Sequence, residues 1–256
     1  MRLANKARLR NTLKKLAAID LGPDDGHDHA TAAQEALDFL AMMAGLKPVL
    51  MLGRGFTNTQ WIKGALQIAV DHKLHIVEGP YWDSVPKPAD LPEWYVEHTR
   101  AAFEGFRAHY VCKARVIADE VAELCRTGIP TVADEARLLG YPVCCVEAHY
   151  ARSRDYQIAW LSILEREADG KETEMRRLLA DGAPLMPAND DERSRLEAAM
   201  KVHAAPFTSV NMCEACTASS DSAARRMSRR NGEFARALDQ GLARELATAS
   251  AMARAR

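Results

Sequence analysis

Six cysteines are the residues of this 256-residue chain whose type and spacing could do chemistry. Cys144 and Cys145 are adjacent, and Cys213 and Cys216 form a Cys-x-x-Cys. Thiolates ligate soft metals and attack disulfides. Two close pairs supply four of them, enough for a tetrahedral zinc ion or an iron–sulfur cluster. Neighbouring side chains on a helix point about 100° apart at roughly 3.6 residues per turn, which suits an object larger than one ion. The expectation is therefore a cluster of the 4Fe-4S kind held by Cys144, Cys145, Cys213 and Cys216, with Cys112 as a fifth candidate ligand and zinc as the alternative metal. Three ligands and one open iron would permit Lewis-acid or sulfur-transfer chemistry, and four would favour electron transfer. A reversible Cys213–Cys216 disulfide is a third reading, but the βα context of a thioredoxin motif is missing. Cys125 reads as a small buried apolar residue.

The residues flanking the cysteines sharpen the site. In Leu138-Leu139-Gly140-Tyr141-Pro142-Val143-Cys144-Cys145-Val146, Gly140 can end one helix and Pro142 can open the next at its first position. Both thiols then fall in a first turn, where the helix dipole favours a thiolate. His149 lies one helical turn beyond Cys145, and it and Tyr141 are the candidate catalytic groups. Ser219, Ser220 and Asp221 follow the second pair as N-caps for a long Ala- and Arg-rich final helix over about 220–249. Arg225 on that helix is a candidate substrate-binding residue, and its neighbours Arg226, Arg229 and Arg230 extend the basic run. Arg54, in the Gly53-Arg54-Gly55 loop between a strand and a helix, is the other; full dinucleotide and P-loop patterns are absent.

The Leu-Gly-Tyr-Pro-x-Cys-Cys-Val segment with the later Cys-x-x-Cys resembles an uncharacterised prokaryotic domain family. The resemblance covers about 108–152 and 203–235, and implies that the four cysteines belong to one site. The order Cys, Cys-Cys, Cys-x-x-Cys is also similar, more weakly, to the cluster-binding cysteine-rich motif of heterodisulfide reductase. That motif has glycine where this chain has Val146, and its second spacing is shorter.

The elements that must position these residues follow from periodicity and breakers. Helical spacing predicts helices over 31–45, 58–72, 93–105, 115–126 and 131–139. Short apolar runs predict strands at 47–52, 74–77 and 109–112. Strand, loop, helix, strand suggests a βαβ unit, so the expected class is α/β, with a small parallel sheet in the amino-terminal half and a helical, cysteine-bearing carboxy-terminal half. The expected organisation is a basic helical arm and loop over 1–29, an α/β domain over 30–130 and a metal-binding region over 131–256. Arg2, Lys6, Arg8, Arg10, Lys14 and Lys15 make the arm basic, while its leucines offer a packing stripe.

The formal net charge is −1 and aromatic residues are 6%, so neither charge nor stacking surface points to nucleic acid. No apolar run reaches the roughly 18 residues of a membrane span. No apolar segment follows the basic start, so a cytoplasmic setting is expected, where paired cysteines bind metals or react rather than form disulfides. The reading is an iron–sulfur enzyme acting on a small polar substrate, with an electron or sulfur donor protein and a second copy of the chain as partners. The alternative is a non-catalytic, zinc-stabilised binding module that uses the Arg-rich helix.

Overall fold

The computed structural model describes residues 3–21, 29–53, 59–80, 82, 90–102, 107–128, 130–201 and 203–254. Among the described residues, three strands lie in one sheet: β1 (Val49–Gly53), β2 (His75–Pro80) and β3 (Arg107–Cys112). Their order is β1-β3-β2, and β3 is antiparallel to both neighbours. The expected parallel pair is thereby corrected. β1 and β2 do run in the same direction, as a crossover through a helix requires, but β3 is inserted between them and takes all their ladder hydrogen bonds. Val49 and His75 both face Cys112, and Gly53 and Gly79 both face Ala108.

The apolar run of β1 reflects helices on both faces of the sheet. Leu50 and Leu52 of β1 and Val111 of β3 join a core with Phe39, Leu40 and Met42 of α2 (His29–Ala44) and Trp61, Ile62 and Ala65 of α3 (Thr59–Asp71). The alternate residues Val49, Ala108, Tyr110 and Cys112 pack on the other face with Ala118 and Val121 of α5 (Arg115–Thr127) and Leu138 and Leu139 of α6 (Val132–Leu139). Continuous hydrophobicity is the habit of parallel sheets because those are covered twice. Here an antiparallel sheet is covered twice, so the pattern reports burial and not direction. Gly79 lets α5 approach β2, since a Cβ there would overlap the Cys125 side chain.

The first helix, α1 (Leu3–Ala17), lays Leu9 and Leu16 into the same core as α2 and α3 and turns its basic residues outward. Helix α4 (Glu93–Ala102) sends Trp94 and Tyr95 against Leu161 and Leu164 of the 25-residue α7 (Val143–Glu167). Helices α8 (Glu172–Ala180) and α9 (Asp190–Met200) cover the rest of α7, bound at the surface by the Arg166–Glu192 ion pair at 2.8 Å. After the short α10 (Glu214–Ala218), the expected long final helix is two elements, α11 (Ala223–Leu238) and α12 (Gln240–Arg254). The cap of α11 is Ser222, whose hydroxyl accepts from the Arg225 N–H, one residue beyond the expected Ser219–Asp221. Leu242 and Leu246 of α12 pack on Leu37 of α2, so the last helix and the second share one body of apolar side chains. Among the described residues no helix is long and apolar enough to cross a membrane.

Candidate metal centre

Two local devices aim the first cysteine pair. Thr131 and Asp134 form a reciprocal capping box that starts α6. Gly140 ends it in the left-handed conformation at φ 71°, against the backbone of Lys47. The chain then turns through Pro142, which is the N-cap of α7; the first helical residue is Val143 rather than the proline. Cys144 and Cys145 therefore stand at the second and third positions of α7, one exposed and the other buried.

The second pair is delivered by an irregular segment. Ala204 and Asn211 form a β-bridge, and the Met212 N–H donates to the His203 carbonyl, so 203–212 is a hairpin-like return. Phe207 at its tip adopts φ 61° and packs on Gly232 of α11, where a Cβ would stand 2.9 Å from the ring. Asn231 holds the tip by donating from its amide to the Phe207 carbonyl at 3.0 Å. Past this return, Cys213 caps α10: its sulfur accepts the Cys216 N–H at 3.4 Å. That bond curls the Cys-x-x-Cys so that both thiols face the start of α7.

The four thiols converge. Cys144 Sγ lies 3.6 Å from Cys216 Sγ, and Cys145 Sγ lies 4.0 Å from Cys213 Sγ. All four sulfurs fall within 4.8 Å of one another. The adjacent pair thus reaches one locus, one sulfur on each side of the curled loop. Ala205, Val210, Met212 and Ala224 surround it with apolar surface, and Cys144 leaves one flank open to solvent. Cys112 is not brought to this group. It is buried in β3, where burial and the nearby Cys125 raise its thiol to about 12.

The expected thiolate-favouring effect of the helix N-terminus does not govern the first pair. Burial pushes the Cys144 thiol up to about 11, and the sulfurs of Cys216 and Cys213 push it the same way. Cys145 is raised too, chiefly by burial. Cys216 goes the other way. Burial disfavours its thiolate, but the Ala224 N–H, the Ser222 hydroxyl and the two facing thiols outweigh that and bring it to about 7. The anion-stabilising helix start here is that of α11, and it serves Cys216.

The other candidate residues divide. Tyr141 and His149 line a cavity of about 230 Å³ whose wall includes Cys145. The Tyr141 hydroxyl is 2.7 Å from Ser209 Oγ. Arg225 is turned away from that cavity and donates to the Thr217 carbonyl at the end of α10. Arg226 and Arg229 pair with Asp221, and Arg230 reaches the Leu46 carbonyl. The basic run of α11 thus braces the loop after the second pair. Arg54 lies outside the described residues.

Sequence reasoning missed the charged groups of the cavity. Asp38 on α2 and Lys47 before β1 form a buried ion pair at 3.4 Å, and Asp38 also accepts from Ser209 Oγ at 2.7 Å. Burial works against the Lys47 ammonium, but the charge of Asp38 and the hydrogen bonds with Asp38 and Tyr141 outweigh it, so its pKa is raised. Glu135 on α6 is buried and accepts from the Tyr150 hydroxyl at 3.1 Å. The available signal was an acid, Asp38, inside the apolar stretch Ala36–Met43.

No family model, curated protein or solved structure matches the chain.

Proposed function

We propose that this chain is a metal-stabilised module in which Cys144, Cys145, Cys213 and Cys216 hold one tetrahedral ion, zinc being the best match. The spacing of the sulfurs carries this reading. A zinc ion with Zn–S bonds of about 2.3 Å separates its four sulfurs by about 3.8 Å. The two pairings at 3.6 and 4.0 Å bracket that value, and no pair of the four exceeds 4.8 Å. A 4Fe-4S cluster sets irons and sulfides between its thiolates and so holds them farther apart than one ion does. The spacing supports the single ion over the cluster.

Four protein sulfurs fill a tetrahedron, and a filled tetrahedron has no position for substrate, which is the mark of a structural site. Its role is then architectural. It fastens the first turn of α7 to the Cys213–Cys216 loop and fixes the 203–212 return, which forms one wall of the cavity. The family that the Gly-Tyr-Pro-x-Cys-Cys segment resembles would have the same four cysteines in one site, in keeping with this reading. A thiol–disulfide role has less support, because Cys213 and Cys216 each stand beside a thiol of α7.

The test is metal, sulfide and visible-spectrum analysis of protein purified without oxygen, followed by exchange into cobalt(II). The expected outcome is one zinc per chain, no sulfide, and the intense thiolate-to-cobalt absorption of a tetrahedral tetrathiolate. Iron with matching sulfide and a brown colour would overturn the single ion in favour of the cluster enzyme.

A further inference from the structure

The cavity beside the thiol group is a mismatch for a structural void. Three charged side chains line it, each more than nine-tenths buried: Asp38 at 7% exposed, Lys47 at 8% and Glu135 at 3%. They come from α2, the segment before β1, and α6. Taking a charge out of water is costly, and such groups gather where a protein binds or reacts. Glu35, one turn before Asp38 on α2, adds a third carboxylate to the wall.

The charge balance selects the ligand. Glu35, Asp38 and Glu135 stand against Lys47, and the ammonium of Lys47 is already engaged. It pairs with Asp38 at 3.4 Å and lies 5.2 Å from the centre of the Tyr141 ring. Counting both Lys47 and His149 as bases, acids still outnumber them on this wall. The same cavity has an apolar side made by Leu50, Leu139 and Val146, and a hydrogen-bonding end at Ser209 and Asn211. The volume of about 230 Å³ sits below the usual range for drug-sized ligands, roughly 300–1,000 Å³, so the occupant is small.

We infer that this cavity is a binding site for a short aliphatic amine. Its ammonium meets the carboxylates of Glu35 and Glu135, its methylenes lie on Leu50, Leu139 and Val146, and its far end meets Ser209 and Asn211. The charges of the cavity carry this inference whether or not a metal fills the thiol site. It differs in chemistry from the Arg-rich helix and from the thiols, of which Cys145 borders the cavity.

The experiment is isothermal titration calorimetry on the full chain after its metal content has been measured. The probes are 1,4-diaminobutane, the isosteric neutral 1,4-butanediol and the anionic succinate. The expected result is saturable binding of the diamine, at least tenfold tighter than either control. Glu35→Gln and Glu135→Gln should each weaken it by tenfold or more, with zinc content and circular dichroism unchanged. Glu233→Gln, at an exposed position of α11 away from the cavity, should leave it as it was. Glu135 is buried and its variant risks the fold, so the half-buried Glu35 supplies the independent reading. Absence of saturable diamine binding, equal binding of succinate, or full binding by folded Glu35→Gln protein would overturn the site. Diamine binding by a chain without metal would uphold the cavity and overturn the zinc reading. Metal without diamine binding would do the reverse.

Discussion

Two groups of cysteines, built from the same residue type, stand in opposite surroundings. In the sheet half, Cys112 and Cys125 are solitary packing residues. Cys112 pairs across β3 with Val49 and His75, and Cys125 lies against Gly79. Burial holds both thiols far above neutrality, at about 12 and about 11, and the nearby Cys125 adds to the rise of Cys112. In the helical half, four sulfurs share one locus, and the N–H groups and the hydroxyl at the start of α11 bring Cys216 down to about 7. Each group has buried members, Cys112 in one and Cys145, Cys213 and Cys216 in the other. Donor groups and mutual proximity are what distinguish a ligand set from a core.

The largest effect should come from removing one member of each group. Cys213→Ala is expected to abolish stoichiometric metal binding and to lower the stability of the chain by several kcal/mol, since metal affinity is folding free energy when the site exists in the folded state. Cys112→Ala deletes one buried sulfur and should cost about 1–2 kcal/mol, with metal content unchanged. Elemental analysis and urea unfolding of both variants check this. Equal metal loss would erase the distinction between the groups.

Thiol ionisation in chelator-treated protein sharpens it further. Cys216 should be alkylated by iodoacetamide with a midpoint near pH 7, while Cys112 stays unmodified up to about pH 12. The two shifts act on stability with opposite signs. The folded pKa of Cys216 lies below the ordinary thiol value of 9.0, so its contribution is present above pH 9 and is lost as pH falls through about 7. Cys144 and Cys112 lie above it, so theirs is present below pH 9 and is lost as pH rises through about 11 and about 12. Mass mapping of a short alkylation pulse reads the order, and Cys112 reacting as early as Cys216 would contradict it.

Between the two regions stands the Lys47–Asp38 pair, and it tests whether the seam is energetically tight. Lys47→Met removes the charged partner and leaves the Asp38 carboxylate buried with neutral donors, the Ser209 hydroxyl and the Gln34 amide. Loss of one member of a buried pair costs about 3–5 kcal/mol. The same change at Lys15, whose ion pair with Asp71 is about half exposed, should cost less than about 1 kcal/mol. Similar losses at both positions would mean that the seam is wet.

The cysteine group was legible in the sequence because its members come in two close pairs, each announced by helix punctuation: Gly140 and Pro142 before one, a serine cap after the other. The strands were legible as well, since Val49-Leu50-Met51-Leu52 has no polar interruption. Their direction was not, because a run apolar on both faces says that helices cover both sides and says nothing of which strand returns between the others. The cavity was hidden for a different reason. Glu135 follows Asp134 in the first turn of α6, where acids usually face water and the helix dipole explains them. The packing of α6 on β1 and α7, closed by the approach of the Gly140 turn to Lys47, buries the carboxylate instead. The adjacency of Cys144 and Cys145 did not show that a curled loop places a sulfur beside each of them.

That approach gives the smallest and most local test. Gly140 and Gly45 both sit in the left-handed region, at φ 71° and 79°. An alanine at Gly45 meets nothing within 4 Å, so it should cost about 1 kcal/mol, the conformational term alone. At Gly140 the new Cβ would stand 3.2 Å from the Lys47 Cβ and 3.5 Å from its Cα, a backbone neighbour that cannot swing aside. Gly140→Ala should therefore cost more than Gly45→Ala in urea unfolding. It should also weaken diamine binding, because Tyr141 and Lys47 must separate, while metal content stays at one per chain. The two alanines behaving alike would mean that the turn between α6 and α7 can yield, and that the cavity does not depend on how tightly the two halves are drawn together.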